Sequence, residues 1–150
     1  MIVLAGGDIV LPDRILTNAS LLIDQGRIAA IETTRGAPSG ASIVDARETF
    51  IVPGFIDVHV HGVDGHDTLD VGDAIAAVAS RLPRYGVTAF CPTTVACGPA
   101  ALRAVLEQVG RARTGGAHGG ARVLPAHLES NFINPEYHGA QPRACLRLPN

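Results

Sequence analysis

Tryptophan is absent, and only two tyrosines and four phenylalanines occur among 150 residues. So small an aromatic supply excludes a stacking platform for bases or sugars. The cysteines, Cys91, Cys97 and Cys145, are odd in number and form no C-x-x-C pair. That excludes a disulfide framework and fits buried thiols in a reducing, cytoplasmic setting. Charge is also sparse: charged residues make up 17%, the formal net charge is -2, and lysines and arginines do not cluster. A nucleic-acid partner is excluded on that ground. No apolar run reaches the ~20 residues that span a bilayer. The first residues, Met1 to Asp8, lack the basic region and unbroken apolar core of a signal peptide. A hydrophobic content of 47% describes a globular chain, long enough for one ordinary domain.

What is present changes texture near residue 50. Residues 1–50 read as short strands: Ile2-Val3-Leu4, Asp8 to Leu11, Ala19 to Ile23 and Arg27 to Ile31. Asp24-Gln25-Gly26 joins the last two as a hairpin. Gly36 to Gly40 reads as a polar loop and Ser42-Ile43-Val44-Asp45 as another strand. So few short strands are expected to pair with strands outside the chain.

From residue 51 strands alternate with helices. Val71, Ala74, Ile75, Val78, Ala79 and Leu82 fall at helical spacing, with Thr68 or Asp70 as the cap and Pro83 and Tyr85-Gly86 as the end. Val87 to Cys91 is the next strand, stopped by Pro92. Pro99 opens a second helix, whose apolar stripe is Ala101, Leu102, Val105, Leu106, Val109 and Ala112. Thr114 to Gly120 is a glycine-rich loop with a solvated His118. Arg122 to Glu129 is a third strand, weakened by Pro125. The alternation implies an α/β fold with parallel strands and right-handed crossovers. Three βα units cannot close a (β/α)8 barrel, so the sequence is expected to be the front portion of a larger protein, inactive alone.

The chemistry concentrates at His59-Val60-His61. The preceding run, Phe50 to Val58, is apolar and β-branched and reads as a buried strand. Alternation puts Asp57, His59 and His61 on one face, where two imidazoles can reach one metal ion. Gly62 lets the backbone turn away over them. Thr93-Thr94 and Glu129 fall at the C-terminal ends of the following strands, the face on which barrel enzymes build their sites. A Glu at the end of a buried strand needs a counter-charge, which a metal supplies. Asp57 reads as an orienting partner, Thr93 and Thr94 as strand-end hydrogen bonders, and His127 as a residue lining the interior. Asp64, His66, Asp67 and Asp70 read as a solvated or capping run.

Pro53-Gly54-Phe55-Ile56-Asp57-Val58-His59-Val60-His61-Gly62 resembles the first barrel strand of the amidohydrolase superfamily, with its small β-sandwich before it. Gly86-Val87-Thr88, Pro92-Thr93-Thr94, His127-Leu128-Glu129, Asn134-Pro135-Glu136 and Gly139-Ala140 resemble the N-acetylglucosamine-6-phosphate deacetylase family. The resemblance implies part of a β-sandwich over residues 1–50 and the first three βα units of a metal-dependent hydrolase barrel over 51–150. It implies a metal role for Glu129, with His59 and His61 matching members that hold a second ion. It implies a sugar-contacting position at Ala140-Gln141. It also implies one or two divalent metals, zinc or iron, and an amino-sugar phosphate as substrate. A homodimer is implied for the full-length protein, with no membrane partner. Further His ligands and an acid/base Asp are expected beyond Asn150, so no catalytic residue is assigned here. Ser130-Asn131 stand where the family carries Gly-Pro, and His138 and Gln141 stand at the ends of its K-G-A-H segment. Two other readings share these residues: a cyclic-amide hydrolase or deaminase on the same scaffold, and a non-catalytic relative serving as a scaffold.

Overall fold

The computed structural model describes residues 1–33, 38–115, 119–129 and 131–149. Part of the Gly36 loop, His118, Ser130 and Asn150 lie outside the described residues. The chain divides into two compact units, Met1–Pro53 and Gly54–Asn150.

In the first unit, β1 (Ile2–Val10), β2 (Ile15–Asp24), β3 (Arg27–Glu32), β4 (Ser42–Asp45) and β5 (Phe50–Ile51) form one mixed sheet. The order is β3-β2-β1-β4, and β5 also pairs with β1. Neighbours β1–β2 and β2–β3 are antiparallel, while β4 and β5 run parallel to β1. The two short strands expected before Pro12 are one strand, whose pairing with β2 shifts register around Gly6. The hairpin at Gln25-Gly26 has both residues at positive φ, 47 and 74, the geometry that joins twisted antiparallel strands. Ile9, Ala19 and Leu21 form a small core, with Leu4, Leu16, Ile23 and Ile51 packed against it.

The second unit contains the alternation of strands and helices. The apolar run Phe50 to Val58 is not one strand: it is divided at Pro53-Gly54, with β5 on one side and β6 (Phe55–Val60) on the other. Nor is it buried. Phe55, Ile56 and Val58 are exposed, because β6 pairs only with β9 among the described residues. Next come a hairpin, β7 (Gly62–Val63) and β8 (His66–Asp67), and helix α1 (Ala74–Arg81). The helix ends in a 3-10 turn, Leu82–Tyr85, carrying Pro83 and closed by Gly86 at φ 77.

The start of α1 departs from expectation. Neither Thr68 nor Asp70 caps it; the N-cap is Asp73, which makes no side-chain cap bond, and Val71 lies outside the helix, 92% exposed. A side chain of the second helix, α2 (Pro99–Thr114), does the work instead. Gln108 Oε1 accepts from the Ala74 N–H at 3.1 Å, and its Nε2 donates to the Asp70 carbonyl at 2.9 Å. The buried face of α2 is therefore Val105, Gln108 and Val109, rotated away from Leu106.

β9 (Val87–Thr94) is the centre of the unit's sheet and pairs in parallel with β6, β10 (Arg122–Val123) and β11 (His127–Leu128). The expected strand 122–129 is split where Pro125 withdraws a donor. Pro92, in contrast, does not stop β9, which continues to Thr94. Ile75, Val78, Phe90 and Val105 are the fully buried centre of the core, each contributing about 1.5–3 kcal/mol by burial. Among the described residues, no helix is long and apolar enough to cross a membrane.

Candidate metal centre

β6 ends at Val60 and β11 at Leu128, both parallel to β9 between them, so the ends of two strands bring His59, His61 and Glu129 to one place. The three facing atoms form a nearly equilateral triangle. His59 Nε2 lies 3.0 Å from His61 Nε2, and Glu129 Oε2 lies 3.3 Å and 3.1 Å from the two nitrogens. All three side chains are partly open to solvent.

The donor set fits a divalent cation. His61 Nδ1 lies 3.2 Å from the Thr93 carbonyl oxygen, which can only accept, so the ring proton is on Nδ1. In neutral His61, Nε2 then presents only a lone pair, and it faces a carboxylate oxygen that also presents only lone pairs. One proton on His59 Nε2 cannot satisfy all three edges, whereas a cation between them does. Ligands about 2.0–2.2 Å from a tetrahedral ion stand ~3.3–3.6 Å apart, so the observed edges of 3.0–3.3 Å need to open by only a few tenths of an ångström.

The remaining polar residues are placed elsewhere. Asp57 Oδ1 accepts from the His59 backbone N–H at 3.0 Å, so it orders the strand end rather than the imidazole. His127 donates from Nδ1 to the Val58 carbonyl at 2.8 Å and sets its ring edge-on to His59, centroids 4.9 Å apart. Asp64 accepts from the Tyr85 hydroxyl at 2.7 Å, which pushes the tyrosine pKa up. Asp67 and Asp70 bond backbone N–H groups of the same turn. Gly62 sits at the hairpin because of a close approach, not a special turn: a Cβ there would strike the His66 carbonyl oxygen. Burial pushes the Cys97 thiol pKa up, which keeps it protonated and unsuited to nucleophilic work.

Gln141 is buried, and its Oε1 accepts from the Ala96 N–H at 2.6 Å, while Ala140 is exposed. Asn131, also buried, donates from Nδ2 to the carbonyls of Cys97 at 2.7 Å and Cys145 at 2.6 Å. These two amides pin the segment after Glu129 to the turn that follows β9. Sequence reasoning missed that role, and it read Thr68 as a helix cap, whereas its fully buried hydroxyl donates to the Thr93 carbonyl at 2.7 Å. Spacing carries no signal for such contacts, since the partners are 14 to 45 residues apart.

No family model matches the chain. Among curated proteins it is 39% identical over 155 residues to the N-acetylglucosamine-6-phosphate deacetylase of Rattus norvegicus, covering 97% of this chain and 35% of that protein. It is 34% identical over 134 residues to the N-acetylgalactosamine-6-phosphate deacetylase of Escherichia coli O157:H7, covering 88% of this chain and 34% of that protein. A solved structure of a variant N-acetyl-D-glucosamine-6-phosphate deacetylase from Mycobacterium smegmatis, in complex with N-acetyl-D-glucosamine-6-phosphate, superposes with a TM-score of 0.73. It shares 26% identity and covers 99% of this chain and 38% of that one. The chain spans about a third of the length of the curated relatives it matches. In sequence and in fold, then, this α/β chain is similar over nearly its whole length to a portion of an N-acetylglucosamine-6-phosphate deacetylase.

Proposed function

We propose that this chain is part of a metal-dependent amide hydrolase that converts N-acetylglucosamine 6-phosphate and water to glucosamine 6-phosphate and acetate. The observation that carries the proposal is the triangle of His59 Nε2, His61 Nε2 and Glu129 Oε2 at the ends of the parallel strands β6 and β11. In this reading the second unit is the first three βα units of a (β/α)8 barrel and the first unit is part of a β-sandwich. Free Cys91, Cys97 and Cys145 support a reducing, cytoplasmic setting.

His59, His61 and Glu129 would hold a divalent ion, zinc or iron, with one or two ions in the full-length protein. Such an ion supplies Lewis acidity toward the amide carbonyl and activates water near neutral pH. The chain's own residues orient and hold. Thr93 keeps the proton of His61 on Nδ1, and Asp57 steadies the His59 backbone. Ala140 is the sugar-side contact, and Gln141 holds its segment in place through Ala96. The remaining His ligands and the Asp that moves a proton to the departing amine belong to the rest of the protein.

The test is metal analysis beside an acetate-release assay on the full-length protein containing this chain. Glu129→Gln is expected to lower the metal content and abolish acetate release. A wild-type protein that opens cyclic amides, but frees no acetate from any N-acetyl amino-sugar phosphate, would overturn the assignment.

A further inference from the structure

We propose that Thr93 and Thr68 are positioning residues for the histidine pair, setting both the backbone between the two imidazoles and the tautomer that His61 offers to a metal. The inference rests on the metal reading above. Its starting point is a fault in the sheet. The pairing of β6 with β9 shifts register between Asp57 and Val60, and the residue opposite Val60 is Pro92. Val60 is buried and lies between the two histidines, so an unmet N–H there would cost about 1–3 kcal/mol. Thr93 repairs the fault with its side chain. Its Oγ1 accepts from the Val60 N–H at 2.9 Å and donates its own proton to the Cys91 carbonyl at 3.0 Å. The hydroxyl replaces the missing ladder bond at the residue whose two neighbours carry the imidazoles.

The Thr93 carbonyl does the second job. It accepts from His61 Nδ1 at 3.2 Å and from the Thr68 hydroxyl at 2.7 Å. Thr68 closes the loop by donating its backbone N–H to the His61 carbonyl at 2.8 Å. His61 is therefore held at its backbone by Thr68 and at its ring by a carbonyl that Thr68 also holds. Both threonines are 0% exposed, so solvent does not compete for these bonds. A partner that fixes the far nitrogen of a ligating imidazole orients the ring and is worth 10–100-fold in metal affinity.

The experiment uses the full-length protein containing this chain, with zinc as the probe. Zinc affinity is measured by competition with a chromophoric chelator, and the His61 tautomer is read from two-bond proton–nitrogen correlations in metal-free, nitrogen-15-labelled protein. The variants are Thr68→Val, Thr68→Ser, Thr93→Val and Thr93→Ser. Wild type is expected to show His61 as the single Nδ1–H tautomer. Each valine variant is expected to mix the tautomers and weaken zinc binding ~10- to 100-fold, and each serine variant to restore both within about threefold. If Thr93→Val fails to fold, Thr68→Val carries the test, because it leaves the bond to Val60 in place. A folded valine variant with wild-type tautomer and zinc affinity would overturn the proposal, as would an Nε2–H tautomer in the wild type. Absence of zinc binding by the wild type would overturn the metal reading instead, and the tautomer comparison would still decide the roles of the threonines.

Discussion

Replacing Gly62 by alanine tests whether the hairpin behind His61 is packed as tightly as the structure shows. The new Cβ would collide with the His66 carbonyl oxygen and lie 3.1 Å from Asp67 Cα, both backbone atoms of β8. Gly62 is not among the glycines at positive φ, so the penalty is steric rather than conformational. Relief requires β8 to retreat by roughly an ångström. Thr68 follows directly after β8, and its retreat stretches two buried bonds, N–H to the His61 carbonyl at 2.8 Å and hydroxyl to the Thr93 carbonyl at 2.7 Å. Overpacking costs about 1–3 kcal/mol and each bond about 1 kcal/mol, with part of each recovered by relaxation. A net local destabilisation of about 2–4 kcal/mol corresponds to ~30- to 1,000-fold faster exchange of the Thr68 amide hydrogen. The assay is native-state hydrogen exchange read at that amide. Gly65→Ala is the control: φ there is +79 and nothing lies within 4 Å of the added methyl. That variant should lose only the ~1–2 kcal/mol of left-handed strain, confined to the turn. Thr68 exchange in Gly62→Ala within threefold of wild type would refute the packing argument.

The Asn131 clamp and the Asp45–Arg47 pair provide two further tests. Asn131→Asp keeps the shape but points carboxylate oxygens at the Cys97 and Cys145 carbonyls, leaving both without their donor. Proteolytic cleavage between residues 132 and 147 should accelerate about tenfold or more, and an unchanged rate would show that the amide is not the clamp. Asp45 receives four hydrogen bonds from Arg47, which hold its carboxyl at about 2, down from 3.8. A depressed folded-state value means that the contact is fully present above the ordinary carboxylate range and is lost as the pH falls through about 2. Carboxyl NMR should therefore give a midpoint near 2, and Arg47→Ala should return it to the ordinary range with little change in stability, because the pair is exposed.

The legible parts of this chain are those whose signal is local. Helical spacing found the body of α1 and, with Pro99, the start of α2; Gln25-Gly26 marked the hairpin and Gly86 the helix end. The His-x-His pair and Glu129 were legible because strand parity and strand ends put them on one face. What was not legible depends on partners distant in sequence. Gln108 sits on a polar position of α2, yet it is buried because the start of α1, 34 residues earlier, lacks a cap and Gln108 supplies one. Gln141, which the resemblance puts at a sugar-contacting position, is buried, and its Oε1 accepts from the Ala96 N–H, 45 residues away, a partner that no local pattern marks.

Pro92 shows the same limit from the other side. Read locally, a proline ends a strand, because it brings no N–H and restricts the residue before it. The structure keeps the strand and moves the defect to its neighbour, where Val60 finds no ladder acceptor and the Thr93 hydroxyl serves instead. A regular ladder at that point would hold Val60 by main-chain atoms alone. The fault brings a threonine side chain to the residue between the two histidines, with the carbonyl of the same threonine at the ring of one of them. A local rule broken at the edge of a functional site, with its compensation in a buried side chain, is where function is expected to outweigh regularity. The imidazoles stand beside this fault in the sheet, so the bonds that mend the strand are the bonds that aim the ligands.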